Sequence, residues 1–367
     1  MKAFILAGGQ GTRLGPLTRT RPKPLVPLID RPILDGILSH LQANGFNDIV
    51  LLVGYRGQDI EQYAADGRDW QVHLSYQFDP GKPLGTAGSV IRALKHSGWD
   101  EPFLVVSGDG VTNLDLGDFY RHCQDEHAEA GILLSQVSDP RQYGLVTTDD
   151  AGKVTGFVEK PQIAVSDAWV NTGIYYFDPR LLQSFAVGTT LDFGKDLFPH
   201  WVAENRRVLG LKSQGYWSDV GSFEQYRQTI FDIMKAKGAL FTAEAKRVHH
   251  EPSLTIISPS VIDANATIGR GAIIGPYAII GRGAYIGDRS RIARSIIRPG
   301  TWIGAGAIVH GAILAEHSYI GPETLIDEGT VVGDHSWIGS GAHLESHSLI
   351  WPSTVLETMP ATVPTIS

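Results

Sequence analysis

The sequence predicts a two-part chain: an α/β half with a doubly wound, mixed but mostly parallel sheet over residues 1–240, followed by a coiled, parallel β structure over 255–352. Three observations predict it. Strand-like and helix-like stretches alternate through the first part, as they do where helices cover both faces of a sheet. Beyond it, aliphatic residues return every six positions, a period that means stacked repeats. Composition also shifts between the two: no lysine follows Lys246, and the excess of glycine (42 of 367 residues) concentrates toward the C-terminal third.

In the first part, strands are predicted at Lys2 to Leu6, Asp48 to Val53, Val72 to Tyr76, Phe103 to Val106, Gly131 to Gln136 and Gly173 to Phe177. Helices are predicted at Ile33 to Asn44, Gly57 to Ala65, Thr86 to Lys95 and Leu116 to His127, with a further helix-like stretch from Phe223 to Lys237. Ligands of such a sheet bind at the carboxyl ends of its strands. A linker is expected at 241–254, where the helix-like stretch gives way to new sequence. The six-residue period then runs through Ile256, Ile262, Ile268, Ile274, Ile280, Ile286 and Ile292. It slips by one at Ile297, continues through Ile303 and Val309, slips again near Ala315 and resumes from Ile320 to Ile350. A helix returns its apolar face at three, four and seven, so this step suits short strands joined by tight corners.

Composition excludes several classes. Hydrophobic residues make up 43% and charged ones 19%, so a disordered chain is not expected. Thirty-one basic residues against 39 acidic ones give a net charge of −8, which argues against nucleic acid held by phosphate neutralisation. One cysteine, Cys123, excludes an intrachain disulfide and a thiolate zinc cluster. The apolar stretch at the N-terminus is too short for a signal peptide, and no run of 18 apolar residues occurs, so no membrane span and a cytoplasmic location are expected.

The sharpest signal follows the first strand: Gly8-Gly9-Gln10-Gly11-Thr12-Arg13-Leu14, then Pro16-Leu17-Thr18 and Pro22-Lys23-Pro24-Leu25. Glycines let backbone amides approach phosphate oxygens. The spacing fits neither a Walker loop nor the dinucleotide fingerprint, and Pro16, Pro22, Pro24 and Pro27 argue against a helix there. An extended loop carrying the cations Arg13 and Lys23 is the expectation. Further motifs follow in order: Pro83-Leu84-Gly85-Thr86-Ala87-Gly88, Ser107-Gly108-Asp109, Tyr143-Gly144, Phe157-Val158-Glu159-Lys160-Pro161, Val170-Asn171-Thr172-Gly173 and Trp217-Ser218-Asp219-Val220-Gly221.

With these motifs the sequence resembles the nucleotide-sugar pyrophosphorylases, or sugar-1-phosphate nucleotidyltransferases, over its whole length. The C-terminal period likewise resembles the hexapeptide repeats of left-handed β-helices, which implies about five turns, and the first part is expected to be Rossmann-like. In that family a sugar-1-phosphate oxygen attacks the α-phosphorus of a nucleoside triphosphate, releasing pyrophosphate. The nucleophile is already anionic, its second pKa being near about 6, so no base is required. The obstacle is repulsion between two polyanions, which cations and alignment overcome.

The resemblance implies roles for particular residues. Arg13, Lys23 and Asp109 would be catalytic. Leu6, Gly8, Gly9, Gly11, Thr12, Arg13, Gly85, Thr86, Gly108 and Asp109 would bind the nucleotide. Tyr143, Gly144, Glu159, Lys160 and Asn171 would bind the sugar phosphate, and Asp109 with Asp219 would hold Mg2+, a hard ion suited to carboxylates and phosphates. Asp79 approximates the place where relatives carry Glu or Gln reading the base, about one residue out of register. Gly15 stands where relatives often carry arginine, and Ser107 where they often carry asparagine.

Among family branches the layout is most similar to the mannose-1-phosphate guanylyltransferases, implying GTP and mannose-1-phosphate. Glucose-1-phosphate branches using dTTP, UTP or ATP share nearly every motif. A non-catalytic homologue that binds nucleotide-sugar would typically lack the loop cations or a metal aspartate, all of which are present here. The β-helix is expected to pair subunits into a homo-oligomer; the alternative, an acyl-transfer site using His310 or His317, would need acetyl-coenzyme A turnover.

Overall fold

The computed structural model describes residues 1–162, 165–235 and 254–357. They form two compact units, and the division is not a single cut. The first unit contains Met1–Gln10, Pro22–Leu25 and Pro32–Asp219; the second contains Gly11–Arg21, Val26–Arg31 and the chain from Val220 on. Part of the glycine-rich segment and the helix Phe223–Met234 therefore group with the C-terminal repeats. The linker expected at 241–254 lies outside the described residues, apart from Leu254.

The first unit has eleven strands: β1 (Lys2–Ala7), β2 (Asp48–Val53), β3 (His73–Phe78), β4 (Phe103–Ser107), β5 (Gly110–Thr112), β6 (Ala130–Val137), β7 (Gly144–Thr148), β8 (Val154–Glu159), β9 (Ala168–Phe177), β10 (Val208–Lys212) and β11 (Trp217–Asp219). The main sheet runs β10-β6-β9-β4-β1-β2-β3, with β7 and β8 attached beside β9. Strands β3, β2, β1 and β4 are parallel, and β9 inserts antiparallel between β4 and β6. This is a Rossmann-like mixed sheet. The apolar runs of β1, β2 and β4 are buried almost throughout, as strands covered on both faces must be.

Chain order reverses at β1: β2 and β3 lie on one side, β4 on the other. Such a switch point opens a crevice at the strand C-termini. Here it is flanked by Gly8, just past β1, and by Gly108-Asp109, just past β4. Helix Leu116–Asp125 starts where the Asp115 carboxylate accepts the Asp118 amide at 2.7 Å, an ordinary N-cap. Phe177, Phe193, Phe198 and Trp201 pack together in the core beneath the sheet.

In the second unit, 18 short strands form three parallel sheets of six. One strand from each sheet makes a turn, so there are six layers rather than the five expected, the strand Val355–Leu356 completing the last. This is the three-sided parallel prism of a β-helix, in accord with the left-handed type expected. Every aliphatic residue of the six-residue period from Ile274 to Leu344 is fully buried along the axis. The second slip falls at Leu314, five residues after Val309, and not at Ala315: Leu314 is the inward residue of its strand. Coils stack tightly enough that a Cβ on Gly287 or Gly304 would lie 2.4 Å from the backbone nitrogen of Ala305 or Pro322. On the outer face of one sheet, Tyr285, Trp302, Tyr319 and Trp337 stack ring on ring at 5.3, 4.6 and 5.3 Å. Truncating one axial residue, Ile320→Ala, leaves a void that neighbouring coils cannot close. It is expected to lower stability by about 2–5 kcal/mol, measurable by denaturant unfolding.

Candidate active site

At the switch point, the Leu6 carbonyl accepts the Gly108 amide at 3.0 Å. A Cβ on Gly108 would fall 2.6 Å from that same carbonyl oxygen, so only glycine lets the chain turn here, delivering Asp109 to the edge of the sheet. Asp219 arrives by another route. Strand β11 pairs antiparallel with β5, placing Asp219 opposite Gly110 and Trp217 opposite Thr112. Directly opposed residues in such a ribbon are about 5 Å apart, so two carboxylates distant in sequence become neighbours.

A cation joins them. Lys23, only 8% exposed, sits in the short helical turn Lys23–Leu25 and donates from Nζ to Asp109 Oδ2 at 2.5 Å. The same ammonium lies 3.7 Å from Asp219 Oδ1. The Ser107 hydroxyl donates to the other oxygen of Asp109, so the residue that replaces a frequent asparagine orients the carboxylate. Among the described residues, no group of three or more His, Cys, Asp or Glu side chains is arranged to hold a metal ion. Two carboxylates beside a phosphate-bearing substrate nevertheless fit magnesium, which keeps several waters and takes few protein ligands.

The glycine-rich segment is not the extended loop expected. It folds into short helical turns at Thr12–Leu14, Gly15–Thr18 and Lys23–Leu25. Pro16 falls in the first turn of its helix, where a missing N–H costs nothing. Gly11 takes φ 63° and its carbonyl accepts both the Leu14 amide and the Thr18 hydroxyl at 2.9 Å. Arg13 is exposed, in the second unit; Gly8 and Gly9 belong to the first. A Cβ on Gly8 would lie 3.2 Å from Asp79 Oδ2, so Asp79 does reach the end of β1. Burial raises its pKa, opposed by a hydrogen bond from Ser89 at 3.3 Å.

The segment Pro83 to Gly88 departs from expectation in part. Helix Gly85–Ser97 begins inside it, and the Ala87 and Gly88 amides both donate to the Leu191 carbonyl, at 3.0 and 3.1 Å. Thr86 donates to Asp192 and accepts the Phe193 amide. These groups are engaged by the chain itself, because Gly85 and Gly88 admit the segment 189–191 against them.

On the other side, Gly144 of β7 pairs with Glu159 at the end of β8, and the Lys160 amide donates to the Tyr143 carbonyl at 2.9 Å. The Tyr143 ring meets Trp217 edge-on at 5.2 Å, and Trp217 Nε1 donates to the Thr172 carbonyl at 3.1 Å. Burial raises the Glu159 pKa above its ordinary value; Lys160 opposes the rise and Asp192 adds to it. Asn171 is used differently from a simple ligand contact. Its oxygen accepts the Gly173 amide and its nitrogen donates to the Tyr175 hydroxyl, both at 2.9 Å, bracing an irregularity where β9 shifts register against β6. Much of the Val-Asn-Thr-Gly motif is thus a bulge device.

Asp192 went unread in the sequence. It caps Gly194 and Lys195, accepts Thr86, and acts electrostatically on Glu159; the only local signal is an Asp one residue before Phe-Gly. Cys123 is buried and burial pushes its thiol pKa up, so it is no nucleophile. His310 is exposed on its strand, and His317 stacks on His335 at 5.2 Å.

The nucleotidyl transferase family model matches residues 2–236. The chain belongs to this family. Within it, the chain is one of the nucleotide-sugar pyrophosphorylases, and the C-terminal domain model described for GMPPB matches residues 256–362. The chain is 32% identical to a UTP–glucose-1-phosphate uridylyltransferase from Synechocystis over 94% of its own length and 90% of the relative's. It is 31% identical to the zebrafish (Danio rerio) mannose-1-phosphate guanylyltransferase catalytic subunit beta over 98% of both chains. A solved structure of a candidate glucose-1-phosphate thymidylyltransferase from Bacillus anthracis aligns with TM-score 0.57 at 23% identity, covering 63% of this chain and 94% of that one, a likeness of fold. Among the described residues, no helix of this nucleotidyltransferase is long and apolar enough to cross a membrane.

Proposed function

We propose that the protein condenses GTP with mannose-1-phosphate to GDP-mannose and pyrophosphate, residues 1–240 carrying the catalytic groups and the β-helix, 255–352, pairing subunits in the cytoplasm. What supports the nucleotidyl transfer is the Lys23 ammonium set between Asp109 and Asp219 at the switch point. What supports the substrate pair is the match to a guanylyltransferase along nearly all of both chains together with the C-terminal family model. A second reading, UTP with glucose-1-phosphate, rests on the Synechocystis relative of comparable identity.

In this reading an oxygen of the sugar phosphate forms a bond to the α-phosphorus as the bond to the β-phosphate oxygen breaks, and pyrophosphate leaves. Lys23 and Arg13 neutralise phosphate charge, an interaction that strengthens as charge builds on the leaving group. Leu6, Gly8, Gly9, Gly11, Thr12, Gly85, Thr86 and Gly108 line the nucleotide. Glu159 accepts hydroxyl hydrogens of the sugar while Lys160 takes its phosphate, with Tyr143, Gly144 and Asn171 shaping that end. Magnesium, held by Asp109 and Asp219, would supply Lewis-acid charge neutralisation. The test is pyrophosphate release from each triphosphate against a panel of sugar-1-phosphates, with and without magnesium. Release with GTP and mannose-1-phosphate alone supports the first reading, with UTP and glucose-1-phosphate the second; none with any pairing overturns both.

The raised Glu159 pKa gives a pH signature. Protonation removes an acceptor, so the KM for the sugar phosphate is expected to climb as pH falls toward the range just above an ordinary glutamate. Glu159→Gln should show a KM about tenfold higher near neutrality and keep only the acid limb that titration of the sugar phosphate itself imposes. Wild-type and Glu159→Gln KM profiles of the same shape at acid pH count against the assignment.

A further inference from the structure

At one corner of the prism, three successive coils carry charged residues turned at least partly from solvent, and the next carries the half-exposed Trp351. Arg298, Glu316, Asp334 and Trp351 each lie just after a strand of the same sheet. Arg298 and Asp334 are each 4% exposed. Their partners lie in the glycine-rich segment and in the helix Phe223–Met234, parts of the same compact unit. Arg298 donates to the Ile29 carbonyl and to the Tyr226 hydroxyl, both at 2.7 Å, and Tyr226 in turn donates to the Pro27 carbonyl at 2.6 Å. Arg21 pairs with Glu316 at 2.6 Å and with Asp334 at 3.3 Å, while the Thr20 hydroxyl donates to Asp334. The Glu316 amide donates to the second Asp334 oxygen at 2.9 Å, fixing that carboxylate. The Trp351 ring lies 3.4 Å from where a Cβ of Gly15 would be, so a side chain there would crowd the indole.

These ties flank Lys23 along the chain, Thr20 and Arg21 before it and Pro27 and Ile29 after. Two guanidiniums and two carboxylates, wholly or partly brought out of water, are costly, and an apolar patch of similar volume would hold two segments together at least as strongly. What an apolar patch lacks is direction: Arg298 addresses one particular carbonyl, Tyr226 another, and a slip of one residue would leave a buried charge unpaired. We infer that this corner of the β-helix is a positioning device for the parts of the glycine-rich segment in its own unit, with Arg298, Glu316 and Asp334 as positioning residues that fix the register of Gly11–Arg21 and Val26–Arg31, and with it the presentation of Arg13. The inference rests on the proposed role of that cation toward the triphosphate. It gives the repeat domain a part in turnover of each subunit, separate from any part in assembly.

The test uses the full-length protein in two variants, Arg298→Met and the double Glu316→Gln, Asp334→Asn. Hydrogen exchange followed by mass spectrometry reads the segment Gly11–Arg31 independently of any reaction. Faster exchange there, with the coils on either side of the corner unchanged, is expected in both variants. Steady-state kinetics with the pair that turns over should show kcat/KM for the triphosphate lower by on the order of 10- to 100-fold, and KM for the sugar phosphate unchanged. Arg298→Lys, which can still reach one carbonyl, should recover part of the loss. Unchanged exchange over 11–31 overturns the inference, as does an equal change in both substrates' KM. If Arg298→Met does not fold, the isosteric double variant decides. A wild type that turns over no pair refutes the substrate reading while leaving the exchange result to judge the tie.

Discussion

Asp109→Asn is expected to reduce pyrophosphate release by at least about a thousandfold, the scale on which preorganised charge contributes at a phosphoryl centre. The substitution removes a negative charge and, with it, the nearer partner of the buried Lys23 ammonium. Asparagine can still accept from Ser107 through its oxygen, and the turn at Gly108 depends on the close approach of the Leu6 carbonyl rather than on the neighbouring side chain. The fold should therefore persist, seen as an unchanged circular dichroism spectrum, while the midpoint of thermal unfolding falls because the buried Lys23 loses its nearer carboxylate. A variant that keeps a near-normal rate would falsify the placement of a metal between Asp109 and Asp219.

Lys23→Met should lower kcat/KM by about 100- to 1,000-fold, for a different reason. The ammonium is almost wholly buried and touches both carboxylates. In the proposed reading its removal takes a cation from the triphosphate, and it leaves Asp109 and Asp219 to repel each other. Two effects then separate by magnesium titration: the loss of turnover persists at saturating metal, whereas the repulsion is relieved by it. Lys23→Arg should not rescue, because a planar fork with five donors does not replace a compact point charge in a space that admits so little solvent. Full activity in the arginine variant would show that only net charge matters there.

What could be read beforehand divides by physical cause. Asp48 to Val53 and the axial isoleucines carry their signal in every residue, because burial on both faces or in a narrow prism leaves no freedom of composition. Strands β5 and β11 have three residues each, too few for any period to show, yet their pairing is what joins Asp219 to Asp109. The motif words Ser-Gly-Asp and Trp-Ser-Asp-Val-Gly marked those residues without revealing the ribbon. The segment from Gly11 to Leu25 reads as extended because prolines break helices, although Pro16 sits where a helix tolerates one. Asn171 and Thr86 were legible as conspicuous polar residues, but their engagement with Tyr175 and Asp192 depends on chain segments brought together only by folding. The sixth coil leaves little trace in the sequence because its last strand, Val355–Leu356, has two residues, one exposed and one partly so.

The corner at Arg298 bears on how the molecule is made. Ile29 waits for a partner 269 positions downstream, and Thr20 for one 314 positions away. A polypeptide leaves the ribosome amino end first, so Thr20 and Ile29 emerge early, and these two ties form only after Arg298 and Asp334 have followed. In the proposed reading, a message cut short before Arg298 yields a product that keeps the Pro27–Tyr226 bond and lacks both of these ties.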